Sequence, residues 1–277
     1  MKTLEGKVIA ITGAGSGIGR GLALHAARRG ASLSLCDWNE VGLAETVDEV
    51  TPLLRPDAKL HHQRVDVGEE ADIASFAHST LGVLGPAHVI VNNAGVSVSD
   101  FAATMKRSDF EWVMNINFWG VIRGTEAFLP QLRAHDDAHV VNVSSIFGII
   151  AVPSQSAYNA AKFAVRGYTE ALRQELHGSP IRVTCVHPGG VKTNIVRNGR
   201  QVRNVRGTEV TTHSLAERFA ASAMTTPERA ADIIWGGVLS NAPRVLVGPD
   251  AHLLDLLQRA LPTGYTALLR LGSRWLT

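Results

Sequence analysis

Val8-Ile9-Ala10-Ile11-Thr12-Gly13-Ala14-Gly15-Ser16-Gly17-Ile18-Gly19 is the stretch that decides the fold. Its first four residues are apolar with no polar alternation, which is how a strand buried on both faces reads. The next eight hold four glycines, and Arg20-Gly21-Leu22-Ala23-Leu24 then opens a helical pattern. Strand, glycine turn and helix in that order make a phosphate cradle. Glycine permits positive φ and close approach of a pyrophosphate, and the helix N-terminus offers free N–H groups to it. An isolated glycine turn means little, but between a strand and a helix it points to a dinucleotide. Gly13, Ser16, Gly17, Ile18 and Gly19 are therefore candidate cofactor contacts.

Moving outward, apolar β-branched runs recur at Lys7–Thr12, Ser32–Cys36, Leu60–Val65, His88–Val91, His139–Val143, Arg182–Val186 and Arg244–Val247. The segments between them are long enough for crossover helices. Gly17–Arg29, Glu40–Leu54 and Asp109–Arg133 carry apolar residues at helical spacing. This alternation predicts an α/β fold: a single Rossmann-like, doubly wound domain over 1–277, with about seven parallel strands flanked by helices. Residues 194–226 break the pattern and read as an irregular substrate loop or lid. Residues 249–277 form a leucine-rich C-terminal extension in which Pro262 should stop a helix.

Asp37 ends the second strand, 18 residues after Gly19. A carboxylate there accepts hydrogen bonds from the adenosine ribose hydroxyls and repels the extra phosphate of NADP. Trp38 follows in place of a cation, so NAD is the expected cofactor and NADP the less favoured one.

Bulk composition narrows the function classes. The 27 basic and 25 acidic side chains leave a net charge of +2, which gives no electrostatic case for nucleic acid. Two distant cysteines, Cys36 and Cys185, make neither a zinc framework nor a disulfide scaffold. The histidines form no HxxxH or HExxH pattern, so no metal site is expected. No run reaches the roughly 18 apolar residues of a membrane-spanning helix, and a cytoplasmic enzyme is the default expectation.

The chemistry lies in Tyr158 and Lys162, four apart in a helical stretch and so on one face. A free tyrosine has a pKa near ~10 and is a poor base. A neighbouring ammonium favours the phenolate and makes proton exchange accessible near neutral pH. The strand His139–Val143 runs into Ser144 and Ser145, at the sheet edge where ligands bind. Either hydroxyl is placed to hold a substrate oxygen.

Together these pieces resemble the short-chain dehydrogenase/reductase superfamily: Thr-Gly-xxx-Gly-x-Gly, then Asn92-Asn93-Ala94-Gly95, a serine thirteen residues before Tyr158, Tyr-xxx-Lys, and Pro188-Gly189. The resemblance covers roughly residues 5 to 248. It selects Ser145 over Ser144, and Asn117 over Asn115 through Asn117-Phe118-Trp119-Gly120. It implies Tyr158 as general acid/base, Lys162 on the nicotinamide ribose, Ser145 on the substrate oxygen and Asn117 supporting a water chain. Asp66 and Val67 match the adenine-side position. Asn92, Asn93, Ala94 and Gly95 match the turn beside the adenosine. Pro188, Gly189, Val191 and Thr193 match the segment beside the carboxamide. His187 stands where many family members carry asparagine, and the plain reading is that it fills the strand end. A homodimer or homotetramer is a further implication of the resemblance.

The expected reaction is NAD-dependent hydride transfer between nicotinamide and a secondary alcohol or ketone. Ile146, Phe147, Ile149, Ile150 and Val152 suggest a medium-sized lipophilic substrate. An NADP-dependent carbonyl reductase and a non-catalytic NAD sensor are the alternatives, the second disfavoured by the complete Ser, Tyr, Lys and Asn set. A sugar epimerase or dehydratase would carry a Gly-x-x-Gly-x-x-Gly turn, which is absent. Arg197, Arg200, Arg203 and Arg206 recur every third residue; a solvated loop is the expectation, and a cationic lid for an acidic or CoA-linked substrate the sharper alternative. The leucine-rich tail should pack on the body or a sister subunit, with a membrane-surface helix as the other reading.

Overall fold

The computed structural model describes residues 1–204 and 206–273. Strand β1 is Val8–Thr12, all five residues buried, and it feeds helix α1 at Gly17–Arg28. Then follow β2 (Ser32–Asp37), α2 (Glu40–Val50), β3 (Leu60–Arg64), α3 (Glu70–Leu84) and β4 (Val89–Asn92). A short β5 (Val98–Ser99) precedes α4 (Arg107–Met114), a π-helical turn at Asn115–Trp119 and α5 (Gly120–Leu132). The chain continues through β6 (Ala138–Val143), α6 (Ser156–Glu175), β7 (Ile181–Pro188), β8 (Arg200–Gln201) and α7 (Thr212–Ser222). It ends in α8 (Pro227–Leu239), β9 (Arg244–Val247), α9 (Pro249–Ala260) and α10 (Tyr265–Ser273).

Seven strands make one sheet in the order β3-β2-β1-β4-β6-β7-β9, every pair parallel. Ile9 is flanked by Leu33 on one side and Val89 on the other. The chain winds outward from β1 to β3, then crosses back to β4 on the far side of β1. That reversal opens a crevice at the carboxyl ends of β1 and β4. The seven runs read from the sequence are these seven strands, with ends shifted by a residue or two.

Helices bury both faces. Under α1, α2 and α8, Ile9, Ile11, Leu33, Leu35 and Trp235 form one core. The Trp235 indole is fully buried and donates to the Leu22 carbonyl at 3.2 Å, tying α8 to α1. On the opposite face Phe76, Phe128 and Leu172 pack against Ala10, Val140 and Val183. A buried amide chain crosses that second layer. Asn92 donates to Thr125 (3.0 Å) and to Asn142 (2.9 Å), and Asn142 donates to Thr169 (3.1 Å). The two edge strands, β3 and β9, are less buried than the strands between them.

Three regions differ from their sequence reading. The helix expected over Asp109–Arg133 is broken into α4 and α5 by the π turn, because one extra residue is accommodated without ending the run. The loop expected at 194–226 holds β8, paired parallel to β5, and α7, whose Thr211 cap accepts from the Ser214 N–H at 3.2 Å. Its arginines are not all turned to solvent: Arg200 and Arg203 hold ion pairs to Asp109 and Asp100. In the tail, α9 stops at Ala260, just before Pro262. Ala251, Leu254, Leu257 and Tyr265 pack onto Ile146, Ile149 and Ile150, while Leu253 and Leu256 are exposed. Trp275 and Leu276 lie outside the described residues.

Candidate active site

A cleft of about 1610 Å³ lies over the carboxyl ends of the central strands. The glycine turn forms one wall. Gly17 has φ +54° and touches Thr193, so that a Cβ there would come within 2.8 Å of the Thr193 methyl. Gly19 does not reach the cleft: a Cβ on it would strike the Gly13 carbonyl oxygen at 2.0 Å, so it serves close packing of helix on turn. Gly13, Ser16 and Ile18 line the wall. Asn93 braces them from behind, its amide donating to the carbonyls of Thr12 and Gly13 at 3.0 Å each. In return the Thr12 hydroxyl accepts from the N–H groups of Asn93 (3.0 Å) and Ala94 (3.1 Å). This cradle of bare backbone fits a dinucleotide's phosphates.

Asp37 sits at the rim where β2 ends. Its carboxylate accepts from Gly15 N–H at 2.8 Å and Asn39 N–H at 2.9 Å, which fixes its orientation and leaves lone pairs free. The nearby cation Arg20 is committed elsewhere, to the Gly15 and Gly42 carbonyls and to Glu45 and Glu49. Asp66 accepts from Gly68 N–H at 2.8 Å and, with Val67, lines the same end.

The cleft floor is made by β6, the turn after it and the first turns of α6. Ser144 and Ser145 separate in role here. The Ser144 hydroxyl donates to the Lys162 carbonyl at 2.8 Å and so pins α6 to the strand end. Ser145 accepts from Phe147 N–H at 3.1 Å and hydrogen-bonds the Tyr158 side chain. Lys162 Nζ donates to the Val143 carbonyl at 2.9 Å and lies 5.7 Å from the Tyr158 ring centre. Burial pushes Tyr158 up to about 12, with the Ser145 bond pulling the other way, and burial draws Lys162 down to about 8. The ammonium keeps two N–H bonds for a ligand.

Asn117 is fully buried in the π turn, behind the cleft wall. Its amide is paired to one residue: Nδ2 donates to the Val96 carbonyl and Oδ1 accepts from Val96 N–H, both at 2.8 Å. That holds the 94–96 turn, including Gly95, beside Lys162. Pro188, Gly189, Val191 and Thr193 line the side facing the glycine turn. His187 fills the strand end. Fully buried, it donates from Nδ1 to the Ser145 carbonyl at 2.9 Å, and burial holds it near 4.

The sequence reading did not single out Asp250. Its carboxylate accepts from Gly190 N–H at 2.6 Å and fastens the Pro188–Thr193 segment to α9. An acidic residue in the first turn of a helix after Gly248-Pro249 was the available signal. Nor did it find Asp100, which anchors the lid through Arg203. Among the described residues no group of three His, Cys, Asp or Glu side chains is arranged to hold a metal ion, and no helix is long and apolar enough to cross a membrane.

A parallel sheet with a phosphate cradle at its switch point, and a tyrosine–lysine pair on the floor beneath, defines an oxidoreductase of the nicotinamide-dependent class. The short chain dehydrogenase family matches residues 7–204, and the chain belongs to that family. It is 43% identical over 98% of its length to SadH of Mycobacterium tuberculosis, a protein named as an oxidoreductase, of which 97% is covered. It is 31% identical to human estradiol 17-beta-dehydrogenase 11, over 97% of this chain and 84% of that one. Among solved structures, a short chain dehydrogenase/reductase from Burkholderia phymatum in complex with NAD superposes with TM-score 0.86 at 29% identity, covering 94% of this chain and 95% of that one. The protein is thus an oxidoreductase acting on CH–OH groups and their carbonyl counterparts.

Proposed function

We propose that the protein is an NAD-dependent dehydrogenase or carbonyl reductase for a secondary alcohol or ketone on a lipophilic skeleton, with Tyr158 as general acid/base. The observation that carries this is the cluster of Tyr158, Ser145 and Lys162 at the floor, bordered by Ile146, Phe147, Val152 and Leu254. When bound, nicotinamide supplies the carbon that takes or gives hydride and, when oxidised, a positive charge near the tyrosine. Ser145 Oγ holds the substrate oxygen. Tyr158 Oη gives that oxygen a proton in reduction and takes one in oxidation. Lys162 holds ribose hydroxyls with its two remaining N–H bonds, and its charge opposes the burial that keeps Tyr158 a phenol. Asn117 fixes the turn beside Lys162, along the route by which the proton reaches solvent. Asp37 selects NAD: its carboxylate meets ribose hydroxyls, and Arg20, the cation beside it, is already neutralised by two glutamates.

The test follows NADH absorbance with a panel of secondary alcohols and ketones, together with Tyr158→Phe. Wild type turns over members of the panel. The variant loses turnover by about 10²–10⁴ while NADH binding stays nearly intact. Retained turnover in Tyr158→Phe would place the proton on another group.

A further inference from the structure

Charged side chains of both signs line the cleft. Asp37 and Asp66 stand at the nucleotide end, and Arg200, Arg206 and Arg218 stand at the lid. Arg200 is held in place by its own partners, pairing with Asp109 at 2.6 Å and stacking on the Trp112 ring at 4.0 Å. Arg218 is different. It is exposed on α7 and lines the cleft, and it has no ion pair or hydrogen bond among the described residues. Its neighbour Glu217 pairs with His213, and Asp250, which also lines the cleft, is bonded to Gly190 N–H.

Leu215, Arg218 and Phe219 sit at i, i+3 and i+4 and so share one stripe of α7. That stripe faces the cleft. The same cleft is lined by apolar Ile146, Phe147, Val152 and Leu254, among polar residues such as Gln155 and Asn194. One cleft therefore holds the Tyr158 floor, apolar side chains and an uncommitted guanidinium.

We propose that the substrate ends in an anionic group, a carboxylate or phosphate, received by Arg218, with the reacting carbon at the other end of an apolar chain. This rests on the reading of the floor given above and adds the substrate's polarity. The guanidinium is a fork suited to either oxyanion. Because it is exposed and screened by salt, its expected effect is moderate.

The experiment pairs fatty acids hydroxylated at the penultimate carbon with their methyl esters, over graded chain lengths, using NAD+. In wild type kcat/KM is higher for the acid by roughly twofold to fivefold, and the preference shrinks as salt is raised. In Arg218→Gln the acid-to-ester ratio falls towards unity. Equal kcat/KM for acid and ester in wild type overturns the proposal. So does a matching loss of NADH affinity in Arg218→Gln, which would assign the arginine to the cofactor's pyrophosphate. Calorimetry of the NADH complex with a saturated fatty acid and the matching alkanol separates the two readings. Arg218-dependent preference for the acid, without turnover of either alcohol, keeps the anion site and overturns the chemistry assigned to Tyr158. No preference in binding overturns the anion site.

Discussion

Arg203 pairs with Asp100 just after β5, with Nη1 3.0 Å from Oδ1 and the carboxylate only 7% exposed. The same oxygen accepts from Phe101 N–H and the Thr104 hydroxyl, both at 2.8 Å. Burial alone would raise this carboxyl, but the hydrogen bonds from Thr104, Arg203 and Phe101 hold it below its ordinary value. The pair joins the lid to the turn after β5. Removing the charge with Asp100→Asn should loosen the lid by about 1–2 kcal/mol, less than for a fully buried pair because Arg203 is 26% exposed. The expected signs are a higher KM for the ketone and faster proteolytic nicking within 194–211. Nicking at the wild-type rate would show that the β5–β8 pairing holds the lid by itself.

Lys162 is the natural probe of the tyrosine. Lys162→Met removes the ammonium beside Tyr158 and leaves burial unopposed. The rising limb of the alcohol-oxidation pH profile should move upward by a unit or more, with kcat down by about 10²–10⁴. Lys162→Arg keeps a charge and should retain more of the profile's position than Lys162→Met. If the limb stays in place in both variants, it does not report Tyr158.

At the rim, Asp37→Asn removes the charge that repels a 2′-phosphate and keeps an acceptor for Gly15 N–H. NAD should bind less tightly and NADP more tightly, changing the NADP-to-NAD ratio of kcat/KM by roughly tenfold or more. An unchanged ratio would mean that discrimination lies elsewhere on the adenosine side.

Acid should unfold the protein through its buried imidazoles. His139 is fully buried with Nε2 2.8 Å from the Thr184 hydroxyl, and burial brings it down to about 3 from 6.5. Burial and the stacked His135 bring His88 to about 4, and burial brings His187 to about 4. Each folded value lies below the unfolded one, so the unfolded chain takes up protons first. Stability is complete above about pH 6.5 and is lost as pH falls towards 3 to 4, on the order of 4 kcal/mol from His139 alone. Chemical unfolding curves between neutral pH and pH 4.5 measure this, and His139→Gln should flatten the slope. A wild-type slope in that variant would remove His139 from the account.

What the chain announced in advance was local. Val8 to Gly19 is a strand, a turn and a helix start packed into twelve residues, and every determinant lies within it. Tyr158 and Lys162 share a helix face for the same reason. Asp250 bonding Gly190, and Arg203 meeting Asp100, join segments 60 and 103 residues apart, and no periodicity marks such a partner. Strand β8 is two residues long and exists because Ser97 and Ser99 offer backbone to it, so it leaves no pattern of its own. Ser144 and Ser145 are adjacent and chemically identical; the thirteen-residue offset to Tyr158 singles out Ser145, and the Lys162 carbonyl that takes up the Ser144 hydroxyl is the physical reason.

The π turn at Asn115–Trp119 has a consequence for how this segment can vary. Each residue of an α-helix advances the side chains by 100°. Excising one residue from the turn would let α4 run smoothly into α5, yet swing Asn117 away from Val96 or Phe128 away from Phe76, since both cannot be kept. Side chains within the turn that face outward, such as Trp119, are open to exchange, whereas the number of residues between Met114 and Gly120 is not. For that stretch the inherited quantity is a count, and a single-codon deletion there would be more damaging than most substitutions.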